Sequence, residues 1–289
     1  MTSHWAQTQR EGWLCDLYGK DSGDGTRKLP NKSVQSQLVS VLDNLLSGKS
    51  SPKESAAKTA SLIMSQENVD IPWNNLLGLY LDAVEKFADE KDLKALVDYI
   101  VELASLPDAV NEGPETKTLD VGGKTLRIEP GQAVVFEEGT LWRDLPRFSS
   151  NVTESFQGPE RYLTNLRPPV SPGVAKATWR NLNTYIALIA KSTDAQRIPV
   201  LARQVGLGLK TMAMALEYSP DTRLGKNIEL HAPAAAQWLR IAGDEIDRLC
   251  RDGTQRMAIG DLWAGSGGSE VCDSARLQFW RARIVELGY

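Results

Sequence analysis

The sequence predicts a mainly α protein: two packed helical halves, bundle-like or α-solenoid-like, with a small β-hairpin insertion. Three observations predict it. Apolar residues recur at helical spacing through 31–107 and again through 172–289. The pattern turns to strand-like alternation only over 117–137, around Gly122-Gly123. The stretch Leu141-Trp142-Arg143-Asp144-Leu145-Pro146 then returns the chain from hairpin to helix. Together these give one mostly helical domain over 1–289, with 147–172 as a loop and candidate lid.

The elements follow in order. Trp5, Trp13, Leu14, Leu17 and Tyr18 suit a short N-terminal helix, which Asp21-Ser22-Gly23-Asp24-Gly25 ends. A calcium loop there lacks the full run of acidic ligands and the closing Glu. Val34, Leu38, Val41, Leu42, Leu45 and Leu46 share one helical face, and Gly48 stops it. Ser51-Pro52-Lys53-Glu54 is a capping box: the Ser hydroxyl and the Glu carboxylate can each satisfy a backbone N–H at the helix start. A helix opening at Pro72 and a fourth over Leu93–Ala104 complete the first half.

In the hairpin region, Leu119 and Val121 lead into the Gly-Gly turn, Leu126 and Ile128 follow it, and Ala133–Phe136 is a third strand candidate. Gly158-Pro159 and Pro168-Pro169 mark 147–172 as loop. The second half is expected to hold a helix capped by Ser171-Pro172, one over 194–217, one opening at Pro233, and a last one capped by Ser274. Gly206 and Gly208 in the second of these suit a close helix crossing or a ligand-to-backbone contact.

Composition narrows the function classes. The 289 residues carry a net charge of −4 with no basic block, so the footprint of a nucleic-acid binder is missing. Met1–Arg10 has no basic segment followed by an apolar run, and no window suits a membrane span, so a cytoplasmic location is expected. Cys15, Cys250 and Cys272, with only His4 and His231, lack the spacing of a zinc site or a disulfide framework. Gly265-Ser266-Gly267-Gly268 has no Lys-Ser/Thr after it and reads as a surface turn. No dinucleotide fingerprint, serine elbow or zinc-protease helix occurs, so no cofactor and no metal are expected.

Two residues are candidate acid/base groups. His231 stands just before the helix expected from Pro233, where the helix dipole favours the neutral ring, a potential base. The plainer reading is a helix-entry residue bonded to backbone. Asp144 sits at a chain reversal, where a carboxylate commonly accepts backbone N–H bonds; an acid role needs a second group. Eight tryptophans fill gaps between helices in the plain reading. The sharper reading is a pocket between the halves, lined by Trp142, Trp179 and Trp238 with Asn183 nearby.

Leu141–Pro146 after a short hairpin, Trp179-Arg180-Asn181-Leu182-Asn183 opening a helix, Ala234-Ala235-Ala236-Gln237-Trp238-Leu239 with Ala242-Gly243, and Arg276-Leu277-Gln278-Phe279-Trp280-Arg281 near the end go together. In these the chain resembles, over about 35–287, a family of filamentous-fungal proteins known as a domain of unknown function. The resemblance implies a fungal, intracellular, mostly helical protein and carries over no catalytic residues; some such proteins serve secondary metabolism.

Two functions are expected from different classes. One is a small-molecule binder or cofactor-independent cyclase/isomerase/lyase-type enzyme of fungal secondary metabolism. It would take an apolar ligand in the tryptophan-lined pocket, with Asp144 or His231 as the polar group. The other is a non-enzymatic helical interaction or scaffold protein, with a protein partner or a second copy of itself. No nucleic acid or membrane partner is expected for either.

Overall fold

A computed structural model describes residues 2–23, 26–121, 123–164 and 169–289. Asp24 and Gly25 of the Asp-Gly loop, Gly122 of the Gly-Gly turn and Pro168 of the Pro-Pro pair lie outside the described residues. The protein is mainly α, with only small two-stranded antiparallel hairpins among the described residues. It divides into two compact units: residues 1–83 with 94–151, and residues 84–93 with 152–289.

The first unit begins with α1 (Thr2–Glu11) and α2 (Trp13–Tyr18), then the two-residue strands β1 (Lys20–Asp21) and β2 (Arg27–Lys28). Next come α3 (Val34–Leu46) and α4 (Pro52–Met64), packed on each other. The capping box forms as the sequence predicts: Glu54 N–H donates to Ser51 Oγ at 3.2 Å, and Ser51 N–H donates to Glu54 Oε2 at 2.8 Å. Then follow α5 (Asp70–Lys86), which starts two residues before Pro72, and α6 (Glu90–Ala104).

Strands β3 (Lys117–Val121) and β4 (Lys124–Ile128) pair antiparallel with Leu119 opposite Leu126. The expected third strand forms differently. Val135–Phe136 form β5, which pairs forward with β6 (Gly139–Thr140) instead of joining the first hairpin, while Ala133 makes an isolated antiparallel bridge to Val110. The reason is local. Pro130-Gly131 turns the chain away from β4, and the next backbone groups bond elsewhere: Asn111 N–H donates to Gln132 O, and Val134 N–H donates to Ala109 O.

Residues 147–172 are not simply loop. They hold α7 (Phe148–Ser155) and α8 (Glu160–Thr164). Phe148, Val152 and Phe156 recur every four residues and are all buried, a helical stripe hidden in a polar stretch. Pro159 directly precedes Glu160, and a Pro followed by an acidic residue suits a helix start.

The second unit is built on α9 (Pro172–Lys191), capped by Ser171, whose hydroxyl accepts from Val174 N–H. The single helix expected over 194–217 is instead a run of short pieces: α10 (Thr193–Gln196), α11 (Pro199–Ala202), a 3-10 turn over Arg203–Gly206, and α12 (Leu207–Leu216). Pro199 lacks the N–H that a continuous helix needs there. The long helix α13 (Ile228–Asp252) packs against both α9 and α12. It begins five residues before the expected start, so Pro233 lies inside it and His231 in its first turn. The short α14 (Asp261–Gly265) and α15 (Ser274–Glu286) close the chain; the cap of α15 is Asp273, one residue before the Ser expected.

Gly208 shows why α12 and α13 fit so closely. A Cβ there would stand 2.8 Å from Trp238 Cε3 and 2.8 Å from Ile246 Cδ1, both on α13. Gly208→Ala should therefore cost about 1–3 kcal/mol of stability by overpacking. Gly206→Ala, where nothing lies within 4 Å, should be neutral or slightly stabilising. Paired thermal denaturation curves check the contrast.

Seven of the eight tryptophans are core residues, and Trp13 is half-buried. Trp5, Trp73, Trp142, Trp179, Trp238, Trp263 and Trp280 are all buried. The three cysteines are free thiols and buried. No helix among the described residues is long and apolar enough to cross a membrane.

Candidate functional site

Four of the six residues singled out in the sequence belong to the second unit and are linked there. Trp179, Asn183, His231 and Trp238 lie on the packed pair α9 and α13. Asn183 Nδ2 donates to the Trp179 carbonyl at 2.9 Å, and its Oδ1 accepts from Trp238 Nε1 at 2.9 Å and from Thr211 Oγ1 at 2.6 Å. Both polar atoms of that amide and the Trp238 indole N–H therefore have partners, which makes the two residues a buried tie between helices.

Trp179 and His231 differ. Their rings stand edge to face at 6.4 Å between centroids, and the residues are 0% and 1% exposed. Trp179 Nε1 and His231 Nδ1 are both buried without a hydrogen-bond partner among the described residues. An unmatched buried donor costs about 1–3 kcal/mol, so two unmatched nitrogens on adjoining rings call for an explanation.

The partner that the sequence could not supply for His231 is Glu160. Its Oε1 lies 2.8 Å from His231 Nε2 and also accepts from Asn227 Nδ2 at 3.3 Å. Burial pushes the Glu160 carboxyl pKa up. Hydrogen bonds from His231 and Asn227, with the positive charge that His231 carries when protonated, more than offset that and hold it below the usual carboxylate range, so Glu160 is ionised at neutral pH. An ionised carboxylate only accepts, so the neutral imidazole carries its proton on Nε2 and keeps a lone pair on Nδ1.

Glu160 ends a strap, residues 156–160, that lies against the ring pair. The Phe156 ring packs on Trp179 at 5.0 Å and 58°. Gly158 has φ +100°, and a Cβ there would come within 3.0 Å of Glu160 Oε2, 3.1 Å of Met214 Cε and 3.8 Å of His231 Cε1. The left-handed φ favours glycine, and a Cβ would crowd Glu160 Oε2 and Met214 Cε, while its distance to the imidazole is ordinary contact. The strap is tethered by Lys210 Nζ, which donates to Phe156 O at 3.0 Å, and by Tyr162 just beyond it, whose hydroxyl donates to Glu85 Oε1 at 2.9 Å.

Trp142 and Asp144 belong to the first unit. Asp144 Oδ2 accepts from Thr140 N–H at 2.7 Å and from Thr140 Oγ1 at 2.9 Å, fixing the turn after β6. The Trp142 ring packs edge-on against Trp73 at 6.0 Å. Around them the backbone is strained: Leu145 and Arg147 adopt φ +42° and +64° without being glycine. Trp73 Nε1 donates to Pro146 O at 3.0 Å, and Arg147 reaches Asp70 Oδ1 at 2.6 Å and Asn74 Oδ1 at 2.7 Å. These contacts hold the strained turn in place.

A family model described as "Protein of unknown function (DUF3632)" matches residues 77–284. The chain belongs to this family. The DUF3632 match starts later than the sequence resemblance over 35–287, yet it includes the strap, Trp179, His231 and nearly all of the second helical series, ending within α15. No curated protein and no solved structure matches the chain.

Proposed function

We propose that the protein binds a small apolar molecule in the second unit, against Trp179 and His231 and beneath the 156–160 strap. The observation that carries the reading is the pair of unmatched ring nitrogens, Trp179 Nε1 and His231 Nδ1, buried beside an ionised Glu160. Buried polar groups in proteins are nearly always matched, and a small ligand offering one acceptor and one donor matches both at once. A carboxylate-backed imidazole further supports a cofactor-independent enzyme of the isomerase or cyclase type, with His231 as the proton-transfer group. Asn183 and Trp238 then serve as the scaffold behind the site. A fungal origin, a place in secondary metabolism and a cytoplasmic location belong to the same proposal and rest on the family resemblance and on the sequence.

The test is to purify wild type, Trp179→Phe and His231→Phe from the native host, confirm each fold by circular dichroism, and analyse organic extracts by mass spectrometry. The expected result is a compound near one equivalent in wild type and depleted at least tenfold in both variants. Identical extracts from all three would refute the reading.

A further inference from the structure

We infer that the substrate is a small uncharged ketone with an acidified C–H, and that His231 Nδ1 removes that proton while Trp179 Nε1–H holds the carbonyl oxygen. This rests on the binding reading just proposed. The two rings offer complementary groups. Glu160 occupies Nε2 at 2.8 Å, which leaves the neutral ring's lone pair on Nδ1 as a base. The neighbouring unmatched group, Trp179 Nε1, is a donor only. A base and a donor on adjoining rings suit a carbonyl with a removable proton on the next carbon.

The charge in contact with the pair is the Glu160 carboxylate, which disfavours an anionic ligand. A single neutral donor also gives limited help to a developing oxyanion. The C–H must therefore be activated by the substrate itself, as it is between a carbonyl and a double bond.

The step balances without a co-reactant. His231 Nδ1 takes the proton from the carbon between the carbonyl and the alkene. The freed pair forms the new C=C of a dienolate, whose oxygen accepts from Trp179. The imidazolium, held against Glu160, returns the same proton to the far alkene carbon. The carbonyl re-forms, the double bond is now conjugated with it, and the formula is unchanged.

Two measurements test this. In a His4→Ala background, which leaves His231 as the one histidine, 15N NMR of the neutral ring should show the proton on Nε2 and a bare Nδ1. Cyclopent-3-en-1-one and cyclohex-3-en-1-one then serve as probes, with the conjugated product followed by ultraviolet absorbance. Wild type should accelerate conjugation of at least one probe. His231→Phe should lose about 100-fold of that rate, Trp179→Phe about 100-fold, and Glu160→Gln about 100-fold with a change of ring tautomer. A proton found on Nδ1, or no probe converted faster by wild type than by His231→Phe, overturns the inference. If wild type nonetheless retains a compound that Trp179→Phe loses, binding stands and proton abstraction alone falls.

Discussion

Glu217→Ala should lower the unfolding free energy by about 3–5 kcal/mol, the loss expected when one partner of a buried ion pair is removed. Glu217 and Arg276 are both 0% exposed. Arg276 Nε reaches Glu217 Oε1 at 2.7 Å and Nη2 reaches Oε2 at 3.0 Å, the bidentate geometry that suits guanidinium to carboxylate. Trp280 Nε1 adds a bond to Oε1 at 2.7 Å, and Gly260 N–H adds one to Oε2 at 3.0 Å. Arg276 also donates to the carbonyls of Ala258 and Glu270 at 2.8 and 2.9 Å. One pair thus ties the end of α12, the irregular chain before α15, and α15 itself. Alanine would leave the guanidinium charged, buried and short of its counter-ion. Urea denaturation of Glu217→Ala checks the size of the loss. The double replacement Glu217→Leu with Arg276→Met should recover much of it, because two apolar side chains remove the desolvation cost along with the attraction.

Trp73→Ala should cost about 3–5 kcal/mol, the range for emptying a buried aromatic site. Trp73 is fully buried, packs edge-on with Trp142, and donates to the carbonyl of Pro146. That carbonyl lies between the two left-handed residues Leu145 and Arg147, and a non-glycine residue in that region costs of order 1–3 kcal/mol. Removing the indole takes away both core volume and a bond that holds the strained turn. Trp73→Phe keeps most of the volume and isolates the second effect; it should cost about 1–3 kcal/mol. Equilibrium unfolding of the two variants separates packing from the hydrogen bond. A Trp73→Phe variant as stable as wild type would show that the Pro146 contact is inert.

Local rules make most of the helices and the first hairpin legible in the sequence. Ser51-Pro52-Lys53-Glu54 encodes its own cap, and Leu119 and Leu126 share a hairpin because the chain between them is short. The fold departs from those rules where one local signal hides another. Pro199 breaks a helix that the apolar spacing of 194–217 implies. The buried stripe of Phe148, Val152 and Phe156 is masked by the polar residues between, so 147–172 reads as loop. The candidate site is only half legible. His231 and Trp179 stand out as rare residue types, but Glu160 lies 71 residues from His231, and nothing in the spacing links them. Glu217 and Arg276, 59 residues apart, escape sequence reasoning for the same reason. Pro159-Glu160 does mark a helix start; which group that carboxylate meets is a property of how α8 packs within the second unit. Asp144 stands out for its place after Trp142, and its bonds to Thr140 account for it without a ligand.

The most direct test of the central claim, that Trp179 and His231 together receive a small carbonyl ligand, is the 1H–15N spectrum of the tryptophan indoles during titration with cyclohexanone. A saturable downfield shift of the Trp179 indole N–H, abolished in His231→Phe and with the Trp238 signal left in place, is the predicted result. A Trp179 signal that stays fixed at every ketone concentration would contradict the account.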